Sequence, residues 1–151
     1  MNDKQIFEYL FELAKTSKDT EGVVVACLVL DRKILVASAS SDDGVRHAED
    51  LVIYKAKVQN IPITDKTILY TTLEPCCQRN PIKNMIDCTT LIVQSGIKEV
   101  VYAAKDPKDS ISSNERFLTA GNVYRQVVDD NIISKAREIF NNTVTNQFDK
   151  I

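Results

Sequence analysis

An α/β layer fold with a mixed, partly parallel sheet is what this sequence predicts, and three observations carry the prediction. Short apolar, β-branched runs alternate with segments of helical periodicity along the chain. The first run, Val23 to Leu30, is apolar throughout, as in a strand covered on both faces. Turn-forming residues separate the segments, with no repeat, linker or low-complexity tract between them. At 151 residues, one domain over 1–151 is expected, long enough to bury a substantial core.

Taken in order, Ile6, Phe7, Leu10, Phe11 and Ala14 recur at helical spacing, with Asp3 the expected N-cap. Gly22 ends that region, and the Val23–Leu30 strand follows. Asp31-Arg32-Lys33 reads as a hairpin turn into a second strand, Ile34 to Ala39. Ser40 to Gly44 is loop, and a helix should begin near His47. Leu51, Val52, Lys55, Ala56 and Val58 carry it toward Gln59, with Pro62 beyond its end. Thr67 to Leu73 is a third strand that runs into Glu74-Pro75-Cys76, and a polar loop continues to Asn84. Asp87 should cap a helix from Cys88 to Ser95, with Gly96 as terminator. Glu99 to Ala104 is a fourth strand, after which Asp106-Pro107 opens a loop. A short helix around Asn114 to Thr119 ends at Gly121, and Val123 to Val128 is a fifth strand. Ile132, Ile133, Ala136, Ile139 and Phe140 mark a closing amphipathic helix.

Hydrophobic and charged fractions of 44% and 26% suit a soluble globular protein. The formal net charge of −2 offers no footprint for a nucleic acid polymer, so none is expected as partner. Met1-Asn2-Asp3-Lys4 lacks the basic-then-apolar opening of a signal peptide. Val23 to Leu30 is too short to span a bilayer. A cytoplasmic location without a membrane partner is expected. The four cysteines are then ligands or core residues and not a disulfide set.

The chemistry concentrates in His47-Ala48-Glu49, Pro75-Cys76 and Cys88. One imidazole and two thiols form a soft ligand set of the kind zinc favours, leaving a fourth tetrahedral position for water. Residues two apart on a helix lie roughly 200° apart around its axis. His47 and Glu49 can therefore share one site only if the metal sits just beyond the helix N-terminus. The positive ends of two helices would then favour thiolate over thiol. Zinc with two thiolates and a neutral imidazole carries no net charge and acidifies water less than an all-histidine centre. A carboxylate beside it, Glu49, has a proton to carry.

Each residue also has a plainer reading. A lone histidine is usually structural, but His47, the chain's only histidine, comes with both Glu49 and the Pro-Cys pair. Cys27, mid-strand, reads as core, and Cys77 as loop packing in preference to ligation. Glu74 orients its loop through hydrogen bonds or carries a second proton. Arg79 and Lys83, between the cysteines, could meet a substrate phosphate, or form a solvated basic loop. Tyr70 and Tyr102 read as core residues.

The motif resembles the cytidine-deaminase superfamily, whose signature is His-x-Glu followed by Pro-Cys and a further cysteine. Tyr70 to Cys76 and Ser95 to Pro107 most resemble the deaminase domain of riboflavin biosynthesis enzymes. The resemblance implies a three-layer cytidine-deaminase-like sandwich, with five strands in order 2-1-3-4-5 between helices. It implies zinc held by His47, Cys76 and Cys88, with Glu49 as catalytic proton shuttle. The implied reaction is hydrolytic deamination of a cyclic amidine with release of ammonia.

Eleven residues separate Cys76 from Cys88, where most of the superfamily has two. The riboflavin branch uses a longer gap, so the spacing favours it, although eleven is long even there. Asp19-Thr20-Glu21-Gly22 replaces the Pro-Asn-Pro-like segment of that branch. The expected substrate is a small pyrimidine-type heterocycle, a nucleotide or a riboflavin-pathway aminopyrimidine phosphate. A tRNA adenosine deaminase is the enzyme alternative, but Asn141 to Lys150 is not the basic arm such enzymes carry. A non-catalytic zinc-stabilised binding domain is the other, and it would have no use for Glu49. Self-association is left open.

Overall fold

A computed structural model describes residues 1–17, 22–40, 47–76, 86–106 and 110–148. Its elements are α1 (Asp3–Ala14), β1 (Val25–Leu30), β2 (Lys33–Ala39), α2 (Ala48–Val58), β3 (Ile68–Leu73), α3 (Cys88–Ser95), β4 (Glu99–Ala104), α4 (Ser110–Thr119), β5 (Val123–Gln126) and α5 (Asp130–Phe148). The five strands form one sheet in the order β2-β1-β3-β4-β5. β1 runs antiparallel to both β2 and β3, whereas β3, β4 and β5 are parallel. Helices α2, α3 and α4 adjoin one another along one side of the sheet, and α1 packs with α5 on the other. This is the three-layer sandwich expected from the sequence.

Central β1 and β3 have every residue buried or nearly so, which explains their unbroken apolar and threonine-rich runs. Ile6, Phe7, Leu10 and Phe11 form the buried face of α1. At the end of α3, Gly96 adopts a left-handed backbone, φ 93°, where a side chain would be strained. Among the described residues, no helix is long and apolar enough to cross a membrane.

Several boundaries differ from the sequence reading, β2 opening at Lys33 and β3 at Ile68 among them. Asn2, not Asp3, caps α1: its side chain accepts from the Gln5 N–H while Gln5 reaches back to the Asn2 N–H. This reciprocal capping box outcompetes a single carboxylate cap. Val23 and Val24 are buried but precede β1, because the Val24 N–H bonds to the Ser40 hydroxyl in place of a ladder carbonyl. β5 stops at Gln126, and Val128 beyond it is 96% exposed. Helix α4 begins at Ser110, earlier than its apolar pattern suggests.

Away from the ends of the parallel strands, one polar cluster ties α1 to the sheet. The Tyr70 hydroxyl donates to Asp3 Oδ1 at 2.6 Å, and Arg125 Nη1 donates to Oδ2 at 3.0 Å. Burial would raise the Asp3 carboxyl, but Tyr70 and Arg125 outweigh it and hold the group below its ordinary 3.8. A carboxylate lowered in this way stabilises the fold above its unfolded pKa and loses that contribution as pH falls through the folded value. Tyr70→Phe should cost about 1 kcal/mol at neutral pH, below the roughly 1.5–3 kcal/mol of a hydrogen bond to a charged group, because the Asp3 side chain is 38% exposed. Urea unfolding checks this, and the gap to wild type should narrow below pH 3.8. Equal stability of the two proteins at pH 7 contradicts the assignment.

Candidate metal centre and active site

Three chain segments meet at the carboxyl end of β3. His47 is the N-cap residue of α2, and its side chain caps no backbone N–H of that helix. Cys76 lies three residues past the end of β3, and Cys88 is the first residue of α3. The His47 Nδ1 atom is 3.6 Å from Cys76 Sγ and 3.5 Å from Cys88 Sγ. Tetrahedral zinc, with Zn–S of about 2.3 Å and Zn–N of about 2.0–2.1 Å, sets an N···S separation of about 3.6 Å. The spacing and the soft donor set therefore fit zinc. His47 is exposed, Cys76 half-buried and Cys88 buried, so the group opens to solvent on its histidine side.

The N-terminus of α3 points at the Cys76 sulfur, and α2 brings His47 to the same place as its N-cap residue. The Cys88 N–H approaches Cys76 Sγ at 3.5 Å. The Cys88 thiol, the His47 ring and the Cys88 N–H together outweigh burial and draw the Cys76 thiol down to about 4. These contacts favour the thiolate of Cys76, the form a metal requires. Glu49, one residue into α2 from Ala48, is 3% exposed. Burial pushes its carboxyl up to about 7, opposed by His47 and assisted by the Cys76 charge. Its Oε1 lies 3.1 Å from the Thr71 hydroxyl of β3.

Residues that the sequence reading did not single out hold the two cysteines in register. Thr89 donates both its N–H, at 3.0 Å, and its hydroxyl, at 2.9 Å, to the Cys76 carbonyl. Ser113 of α4 donates to the Pro75 carbonyl at 2.8 Å. Asp87 caps α3 by accepting from the Thr90 N–H at 2.8 Å, and Arg116 Nη1 pairs with the same carboxylate at 3.1 Å. Arg116 also meets the Thr90 hydroxyl. A buried threonine directly after a ligand cysteine was the one available signal. Nothing in the sequence pointed to Arg116.

Glu74 orients its loop, as one of its two readings held. The carboxylate accepts from the Asp106 N–H at 3.1 Å and from the Tyr124 hydroxyl at 2.5 Å. Tyr124 is stacked between Tyr102 and Phe117, at centroid distances of 4.8 and 4.6 Å. Cys27 is fully buried in the core, and Tyr70 and Tyr102 are buried too. Arg79, Lys83 and Cys77 lie outside the described residues.

Residues 1–104 match the cytidine and deoxycytidylate deaminase zinc-binding region. The chain belongs to that family. It is accordingly a zinc-dependent hydrolytic deaminase. It is similar to the riboflavin biosynthesis protein RibD of Aquifex aeolicus (strain VF5), with 33% identity over 126 residues. That alignment covers 79% of this chain and 33% of the relative, so the chain spans about a third of that protein. A diaminohydroxyphosphoribosylaminopyrimidine deaminase/5-amino-6-(5-phosphoribosylamino)uracil reductase from Thermotoga maritima superposes with a TM-score of 0.72 at 26% identity. The superposition covers 97% of this chain and 43% of that one. The Aspergillus oryzae Rib2 deaminase shares the fold, with a TM-score of 0.68, 16% identity and coverage of 98% and 99%.

The brace at the start of α3 yields a stability prediction. Asp87→Ala removes an N-cap worth about 1 kcal/mol and a partly exposed ion pair worth at most about 1 kcal/mol. A loss of about 1–2 kcal/mol in urea unfolding of the metal-free protein is expected, with Asp87→Asn losing less because it can still cap. Unchanged stability in Asp87→Ala would remove this brace from the account.

Proposed function

We propose that this chain removes the exocyclic amino group of a small aminated pyrimidine phosphate, with His47, Cys76 and Cys88 holding zinc and Glu49 carrying protons. The observation that carries the reading is a buried carboxylate placed beside, and not within, a ligand trio of tetrahedral spacing. A structural zinc site is closed by a fourth protein ligand and needs no proton carrier. Zinc, when bound, supplies Lewis-acid activation of water.

The remaining work falls to the protein. Glu49 takes a proton from the attacking water, whose oxygen bonds to the ring carbon bearing the amine. It delivers that proton to the adjacent ring nitrogen, then takes the second proton from the hydroxyl now on the carbon and passes it to the departing nitrogen. The carbon–nitrogen bond breaks, ammonia leaves, and the carbon is left as a carbonyl. A carboxyl raised toward 7 suits both halves of this cycle, because it binds and releases a proton near neutral pH. The exposed His47 edge leaves an approach for a planar ring, while Cys88 and Glu49 close the inner side.

An aminopyrimidine ribosyl phosphate of the riboflavin route is the substrate class this reading favours, on the likeness to RibD. Arg79 and Lys83 are proposed to hold the phosphate, since they lie between the two ligand cysteines in sequence. A reduced cytoplasm, which keeps cysteine free for the metal, fits the same reading.

Glu49→Gln should keep zinc and the fold yet lose roughly 10²–10⁴-fold or more in turnover. Metal analysis and ammonia release with diaminohydroxyphosphoribosylaminopyrimidine and with deoxycytidylate are the measurements. Wild-type turnover in that variant rejects the proton-carrier role. A protein that ignores both compounds but deaminates a tRNA stem-loop rejects the substrate and leaves the zinc chemistry standing.

A further inference from the structure

We infer that Thr71 is the positioning residue for Glu49, fixing one carboxylate oxygen so that the other is left to carry protons. The inference rests on the proton-carrier reading of Glu49 above and adds to it. Thr71 is fully buried in β3, and its hydroxyl lies 3.1 Å from Glu49 Oε1 and 2.8 Å from the Leu73 carbonyl oxygen. Among the described residues, it is the one side chain hydrogen-bonded to the Glu49 carboxylate.

A glutamate has three side-chain torsions to immobilise, and a carboxylate on the first turn of a helix would otherwise be free to rotate away from the metal trio. Anchoring Oε1 from a central strand removes most of that freedom. The anchor is itself stiff: a β-branched side chain has few χ1 choices, and β3 is hydrogen-bonded on both edges. Sites built on such elements hold geometry better than sites built on loops.

The two neighbours of the hydroxyl explain why a threonine fits here. It has one hydrogen to give and two oxygens within reach. Facing a carboxylate, it can donate to Glu49. Facing Glu49 after proton uptake, it can accept from the carboxyl and donate to the Leu73 carbonyl instead. Both arrangements keep the heavy atoms where they are, so Glu49 stays anchored through a cycle in which it gains and loses a proton. Valine has the same shape as threonine and can make neither contact.

Thr71→Val is the test, assayed on zinc-loaded protein with diaminohydroxyphosphoribosylaminopyrimidine or deoxycytidylate, whichever is turned over. The expected result is unchanged zinc content and KM with kcat lower by roughly 10-fold or more, the scale of a lost hydrogen bond to a charged group. Thr71→Ser, which keeps the hydroxyl, should restore most of that rate. If Thr71→Val folds poorly, Thr71→Ala against Thr71→Ser supplies the same contrast. A kcat within two-fold of wild type overturns the inference, as does Thr71→Ser being as slow as Thr71→Val, or a rate loss matched by zinc loss. Glu49→Gln separates this outcome from failure of the parent reading. Full activity in Glu49→Gln sinks both, whereas an inactive Glu49→Gln beside a normal Thr71→Val sinks only the role of Thr71.

Discussion

The meeting of two helix N-termini at the carboxyl end of β3 is the constraint on which the site depends. Parallel pairing of β3 with β4 requires a crossover, and α3 supplies it. That crossover returns the chain over the end of β3 where Cys76 lies, and Cys88 opens the helix. Helix α2 starts beside it with His47 and packs against α3. The donors thus converge because the sheet topology leaves these helices no other place to begin. The same geometry aims the positive end of α3 at the Cys76 sulfur, which favours the thiolate a metal needs. Register matters equally: a one-residue slip of β3 would turn Thr71 away from Glu49 and bring a neighbour in its place.

The eleven residues between Cys76 and Cys88 remove the covalent leash that a two-residue spacing would provide. The described residues show what replaces it. Thr89 closes on the Cys76 carbonyl with both of its donors, Ser113 holds the Pro75 carbonyl, and Arg116 grips the Asp87 cap. Each hydrogen bond is worth only about 1 kcal/mol, but they act on two residues whose separation sets whether three donors can share one ion. Behind them, Glu74 joins the loop after β4 to the aromatic stack of Tyr102, Tyr124 and Phe117. The site is therefore supported from α4 and β5 as well as from the elements that carry it.

Much of this was legible in the chain because the signals are local. The α3 boundaries followed from Asp87 and Gly96, whose capping roles depend on immediate neighbours. β1 and β3 followed from buried apolar runs, and the strand order from the resemblance that His47-Ala48-Glu49 and Pro75-Cys76 carry. What escaped was decided by partners distant in sequence. Asp3 looked like the α1 cap, but it serves Tyr70 and Arg125 instead, while Asn2 and Gln5 form the capping box. Arg116 on α4 reaches an aspartate 29 residues earlier. Thr71 looked like an ordinary strand residue, and only the fold reveals that its side chain faces Glu49.

The central claim is that Glu49 serves the metal trio from outside its coordination shell. X-ray absorption at the zinc edge tests it most directly, on zinc-loaded wild type and on Glu49→Gln. The account predicts one zinc per chain with two sulfurs at about 2.3 Å and nitrogen or oxygen neighbours at about 2.0–2.1 Å, unchanged by the substitution. Three or four sulfurs, or a shell that loses an oxygen in Glu49→Gln, would contradict it.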